Sequence, residues 1–151
     1  MKIGPRLLLG TVLIGLMIGH VGCSSTSQQA AGFHAAVQID GRTRAEIQQV
    51  VERVFLENHF ELVKAAPEMV FDKKAGTMKM LAYGSLSGQG VYSRAKVTIK
   101  NDGVGGHVVG CNAYVVRDRG DPTFEDEQKI IRFKGGEYQK LLDEVKKRLG
   151  P

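Results

Sequence analysis

Residues 91–117, VYSRAKVTIKNDGVGGHVVGCNAYVVR, decide the fold of this chain. Residues 91–100 alternate between small or apolar side chains and polar ones, and this period of two is typical of a half-buried strand. Positions 101–106 (NDGVGG) favour a turn because Asn, Asp and Gly tolerate positive φ. Residues 107–117 then predict the returning strand, with Val109, Cys111, Ala113 and Val115 on one face. The two strands should form the central hairpin of a sheet.

Two amphipathic helices are predicted, one on each side of this hairpin in the sequence. Apolar residues recur at helical spacing from Thr43 to about Asn58, and Thr43 with Glu46 fits a capping box. Residues 137–149 carry a second apolar stripe, and the basic residues in their last turn suit the helix dipole. Each helix is apolar on one side only, so both are expected to cover a sheet.

Shorter strand-like segments complete the pattern at 33–39, 60–63, 69–71 and 77–83. Residues 72–76 are interpreted as a hairpin connection, residues 84–90 as a glycine-serine loop and residues 117–122 as a charged loop, with a possible helical turn from Thr123. The order β-α-β-β-β-β-α predicts the α+β class. We expect an antiparallel sheet of four to five strands with both helices on one face and the other face towards solvent.

The first 22 residues are predicted to be an export signal and not part of this fold. Lys2 and Arg6 precede an uncharged apolar run at residues 7–19. That run is too short to cross about 30 Å of hydrocarbon as a helix, and it has the length of a signal's apolar region. A single short membrane anchor is the alternative interpretation.

The end of the signal, Gly22-Cys23, resembles the lipobox of bacterial lipoproteins, although His20 stands where that family usually has Leu. The resemblance covers residues 1–23 and implies cleavage between Gly22 and Cys23, with acyl chains such as palmitate on Cys23. Several acyl chains hold a protein on a membrane essentially permanently. In such lipoproteins a residue other than Asp after the lipidated Cys implies transfer to the outer membrane. Ser24 occupies this position, so the resemblance implies the outer membrane of the cell envelope. The alternative is ordinary signal cleavage near residues 30–32.

The chain therefore divides into a lipoprotein signal peptide (1–22), a flexible tether (23–32) and a single α+β domain (33–150). The net charge is +5, and loss of Lys2 and Arg6 with the signal leaves 19 basic and 16 acidic residues, a net charge of +3. Such a mild excess argues against a nucleic-acid binder. The element order resembles the helix-on-sheet domains of small accessory lipoproteins of the outer-membrane assembly machine, and this resemblance assigns no functional residue.

Few residues in the sequence suggest a catalytic, metal-binding or phosphate-binding site. Neither glycine-rich loop has the spacing of a phosphate loop. His107 and Cys111 share a strand face but lie about 13 Å apart at 3.4 Å per residue, so we expect no metal site. We also expect no cofactor and no enzyme activity. Cys111 is interpreted as a buried structural thiol. The alternative function is an exported hydrolase that uses Cys111 as its nucleophile.

The candidate binding surface is the outward stripe of the strand at 91–100. Its members are Tyr92, Arg94, Lys96, Thr98 and Lys100. Basic residues interleaved with aromatic ones can bind an anionic polymer, lipid headgroups or an acidic segment of an envelope protein. A solvated sheet face is the alternative, and a purely structural spacer is a third reading of the whole protein. If the stripe binds a partner, replacing Arg94 and Lys96 together by Glu should abolish partner binding and leave thermal stability nearly unchanged.

Overall fold

The computed structural model describes residues 32–76, 90–130 and 135–150. The elements in this part of the chain are β1 (Ala35–Asp40), α1 (Arg44–Glu57), β2 (Glu61–Lys64), β3 (Met69–Lys74), β4 (Val91–Asn101), β5 (Gly106–Arg117), β6 (Asp126–Lys129) and α2 (Gly135–Leu149). The export signal, the tether, the strand at 77–83 and all of the glycine-serine loop except Gly90 lie outside the described residues.

The six described strands form one antiparallel sheet in the order β1-β5-β4-β3-β2, and β6 also pairs with β5. Strands β4 and β5 are the two longest and pair over their whole length, so the central hairpin is confirmed. The α+β class is confirmed with it. The short strand β6 was not predicted, because its sequence DEQK contains no apolar residue and therefore no hydrophobic period.

Strand β3 corrects the sequence prediction of a hairpin connection at residues 72–76. The strand continues to Lys74, and Asp72 lies opposite Arg94 on β4. The prediction was wrong because Asp and Lys are rare in strands unless a neighbouring strand satisfies their charges. Here β4 supplies the guanidinium that Asp72 needs.

The two helices have the predicted amphipathic form. Thr43 caps α1: its side chain accepts a hydrogen bond from the Glu46 N–H, and the Glu46 carboxylate accepts one from the Thr43 N–H, so the capping box is confirmed. Helix α2 begins at Gly135, two residues earlier than predicted, and ends with Lys146, Lys147 and Arg148 in its last turn.

The core lies between the helices and the inner face of the sheet. Phe55 of α1 stacks on Phe71 of β3 with ring centroids 4.5 Å apart, and Tyr138 and Leu142 of α2 are buried in the same cluster. Helix α2 also protects the edge of the sheet, because the Gln139 side chain accepts from the Ala36 N–H and donates to the Ala36 carbonyl. The inner face is therefore covered, and the surface available for partners lies elsewhere.

Candidate functional site

The outer face of the sheet carries the predicted stripe. Tyr92, Arg94, Lys96 and Thr98 are half-buried and Lys100 is exposed, while the residues between them are buried on the inner face. The predicted division of β4 into two faces is therefore confirmed. Tyr114 of β5 lies opposite Arg94, which places an aromatic residue beside the cationic residues Arg94 and Lys96.

Arg94 is the centre of an ion-pair cluster. Its Nε and Nη2 donate to the two carboxylate oxygens of Asp72 at 2.8 and 2.9 Å, and its Nη1 donates to Glu125 at 2.8 Å and Glu127 at 2.9 Å. The Asp72 side chain is 0% exposed and that of Arg94 is 11% exposed. The hydrogen bonds from Arg94 to Asp72 are the largest cause that raises the pKa of Arg94, so this guanidinium stays charged.

Arg119 approaches the same buried carboxylate from the loop after β5. Its Nε lies 2.9 Å from an Asp72 oxygen, and its Nη1 donates to Glu61 at 3.1 Å. The guanidinium also lies 4.8 Å from the ring centroid of Tyr92. Asp72 therefore joins two arginines from different elements, and Tyr92 is held in place by a cation.

The lysines of the stripe rest on aromatic rings. The Lys96 ammonium lies 4.6 Å from the Tyr114 centroid and pairs with Glu127, and the Lys100 ammonium lies 4.9 Å from the Phe33 centroid. Phe33 packs directly over Gly110, where a Cβ would approach its ring to 2.4 Å. Only a glycine at this position lets the ring lie flat against the sheet.

This geometry changes the expected behaviour of the stripe. Arg94 was expected to be an exposed binding residue whose replacement by Glu spares stability, but its side chain is largely buried and bonded to three carboxylates. Replacing Arg94 by Glu would place a fourth negative charge beside Asp72, Glu125 and Glu127, so it is expected to be strongly destabilising. Lys96 and Lys100 remain the substitutable members of the stripe.

Sequence reasoning missed the acidic half of the cluster, which consists of Asp72, Glu125 and Glu127, together with Arg119. An available signal was that Val70, Asp72 and Lys74 occupy every second position and therefore share one face of β3. No local pattern marks Glu125 and Glu127, because they reach Arg94 across 31 and 33 residues of sequence.

Cys111, the candidate nucleophile of the alternative function, lies on the inner face of β5 and is 0% exposed. Burial raises the pKa of its thiol to about 12. The reactive species in cysteine chemistry is the thiolate, and it would be scarce here at neutral pH. Cys111 is therefore a residue of the hydrophobic core.

We expect Cys111 to resist alkylation in the folded protein. In the Cys23→Ala variant Cys111 is the only cysteine, so iodoacetamide labelling reports on it alone. Labelling at pH 8 should be negligible under native conditions and complete in urea, because both burial and the raised pKa oppose reaction. Mass spectrometry of the intact chain measures the result, and stoichiometric labelling of native protein within minutes would contradict the burial.

Residues 22 and 23, the predicted cleavage and lipidation site, lie outside the described residues. Within the described ranges, no group of three or more His, Cys, Asp or Glu side chains is arranged to hold a metal ion. Neither described helix has the length and apolar character needed to cross a membrane.

Comparison with known proteins adds no assignment. No family model matches the chain, and no curated protein and no solved structure shows significant similarity to it. Function is therefore argued from the residues and their geometry alone.

Proposed function

We propose that this chain is a bacterial lipoprotein of the cell envelope, held on the outer membrane by lipid on Cys23. Its domain would bind a partner protein through the outer sheet face. The observation that carries the location is Gly22-Cys23 directly after a charged start and a short apolar run. The polar tether at 23–32 would give the domain reach from the membrane surface.

The binding role is supported by the way the outer face is built. The helices occupy the inner face, so the aromatic and cationic groups of β4 and β5 are left at the other surface. Tyr92 and Tyr114 are each contacted by a cation. Side chains that are already held in place lose little entropy on binding, which favours rigid aromatic residues as interface anchors.

The charge pattern favours a protein partner over an anionic polymer. Glu61, Glu125 and Glu127 lie among the basic residues of this face and pair with them. Those carboxylates would repel a polyanion and would complement a protein surface that carries both signs of charge.

Two other functions have less support. A hydrolase that uses Cys111 would need a thiolate at a residue whose thiol is buried. A purely structural spacer has no use for the aromatic and cationic groups at the outer face, and the crosslinking experiment below distinguishes it from a binding module.

The anchor is tested by metabolic labelling with an alkyne-palmitate in a bacterial host. Label on the wild-type chain that disappears in the Cys23→Ala variant would support the lipoprotein assignment. A shorter, unlabelled and soluble wild-type product would overturn it and would favour ordinary signal cleavage near residues 30–32.

The binding face is tested by site-specific photocrosslinking in intact cells. A photoreactive residue at Lys100 on the outer face is compared with one at Lys146, which is also exposed but lies on α2. A discrete adduct of one partner from position 100 and none from position 146 would support the proposal. No adduct at position 100, or the same adducts from both positions, would overturn it.

A further inference from the structure

Strands β1 and β6 lie end to end along the same edge of β5. The His34 N–H donates to the Cys111 carbonyl at 2.9 Å at the start of β1, and the Ile130 N–H donates to the Ala113 carbonyl at 2.9 Å just beyond β6. Asn112 lies between these two attachment points. The sheet edge is therefore interrupted opposite Asn112, and the interruption forms a cleft.

The cleft has a volume of about 390 Å³, at the small end of the range for ligand sites. The chain entering β1 and the chain leaving β6 form its two sides. Its lining consists of Gly32, Phe33, His34, Asn112, Lys129 and Ile130. This small concave surface thus combines an aromatic ring, an aliphatic side chain, an imidazole, an amide and one ammonium.

Two polar atoms of this lining are buried without a hydrogen-bond partner. They are His34 Nε2 and Asn112 Oδ1, and the third such atom in the described part of the chain is His107 Nδ1. Most buried polar atoms are paired, because an unpaired one lowers the stability of the folded state. Two orphans in one cleft therefore indicate hydrogen-bonding capacity that the fold itself does not use.

Lys129 gives the cleft its charge. It is exposed and belongs to none of the ion pairs between described residues, whereas nearby Lys96 pairs with Glu127. Its ammonium is thus available to an anion. A single cation balances one negative charge, so the cleft suits a monoanionic carboxylate better than a phosphate group, which carries close to two negative charges at neutral pH.

We propose that this cleft binds a small organic carboxylate with an apolar body. The Lys129 ammonium would pair with the carboxylate, and Asn112 and His34 would donate hydrogen bonds to it. A turn of the Asn112 amide presents its NH₂ group, and the imidazole donates when its proton is on Nε2. Small rotations about the broad terminal torsions of both side chains bring these atoms to the cleft surface. Phe33 and Ile130 would contact the apolar body.

The test uses the full, ¹⁵N-labelled chain in a mild non-ionic detergent. Sodium benzoate is the probe, and benzamide is its uncharged counterpart. We expect benzoate to shift the resonances of Gly32, Lys129 and the Asn112 side-chain amide with millimolar affinity, and benzamide to bind about tenfold more weakly because it cannot pair with Lys129. No localised shifts, or equal binding of the two compounds, would overturn the proposal.

Three variants locate the binding. Lys129→Glu should weaken benzoate binding at least about tenfold, and Asn112→Leu should weaken it about fivefold or more. Lys140→Glu is the matched control, because it reverses one exposed lysine at a different groove, lined by Asn58 and Phe60. It should leave binding unchanged. Equal losses in Lys129→Glu and Lys140→Glu would mean general charge attraction and would overturn the site. Lys129 is exposed, so that variant keeps the test decisive if Asn112→Leu fails to fold.

Discussion

Replacing Asp72 by Ala is expected to lower the free energy of unfolding by about 3 kcal/mol. The variant removes a fully buried carboxylate that accepts two hydrogen bonds from Arg94 and lies 2.9 Å from the Arg119 Nε. Removing one partner of a buried ion pair destabilises the fold by more than the pair itself contributes, because the remaining charge stays buried without its counterion. The loss should fall at the low end of the usual range since Arg94 retains Glu125 and Glu127. Urea denaturation followed by circular dichroism measures it.

Glu61→Ala is the matched control for Asp72→Ala. Glu61 also pairs with Arg119, but its side chain is 73% exposed and makes one contact with it, at 3.1 Å. Exposed pairs contribute little, so we expect a change within about 0.5 kcal/mol. A cost for Asp72→Ala no larger than that of Glu61→Ala would show that the cluster does not stabilise the fold.

The cluster also determines which residues report on partner binding. Arg94, Asp72 and Arg119 tie β3, β4 and the loop after β5 together, so their substitution would confuse lost binding with lost structure. Lys96 and Lys100 lie beside this centre: the Lys96 side chain is 25% exposed, against 11% for Arg94 and 0% for Asp72, and Lys100 is exposed. Variants of Lys96 and Lys100 should therefore change partner binding with little loss of stability, whereas variants of Arg94 would change both.

The central hairpin and the helices were predictable because their signals are local. Strands β4 and β5 each alternate between apolar and polar residues over about ten positions, so their inner and outer faces can be assigned from the sequence. Thr43 and Glu46 are three residues apart, so the capping box of α1 can also be recognised there. Strand β6 contains no apolar residue and gains its place by pairing with β5, with its Glu127 beside Arg94. Hydrophobic periodicity cannot predict a strand that is placed by backbone pairing and an ion pair.

The candidate sites depend on contacts of a still longer range. Asp72 and Arg94 are 22 residues apart, and the cleft beside Asn112 joins residues near 33 with residues near 130. The stripe on β4 was visible in the sequence because one strand contains it. The neutralising carboxylates were not visible, since β3 and the segment of β6 bring them from the two sides of the β4–β5 hairpin. The cleft was not visible either, since it forms only where β1 and β6 approach each other along one edge of β5.

Phe71→Ala is expected to lower the free energy of unfolding by about 4 kcal/mol. Phe71 is 0% exposed and stacks on Phe55 in the core between α1 and the sheet. Its removal loses the transfer free energy of the ring and leaves a cavity that the two layers close only in part. Phe71→Leu keeps most of the volume and should cost less than about 1.5 kcal/mol. Equal costs for the two variants would mean that the core collapses freely around position 71.

Phe71 and Asp72 are adjacent on β3 but face opposite sides of the sheet. The ring contacts the aromatic core, and the carboxylate contacts the arginines of the outer face, so the two share no side-chain partner. The costs of Phe71→Ala and Asp72→Ala should therefore add in the double variant to within about 0.5 kcal/mol. A double variant that costs much less than the sum would show that β3 already detaches as a unit in either single variant. In that case the two faces of the sheet would be coupled through the strand itself, and a partner on the outer face would change the stability of the helical layer.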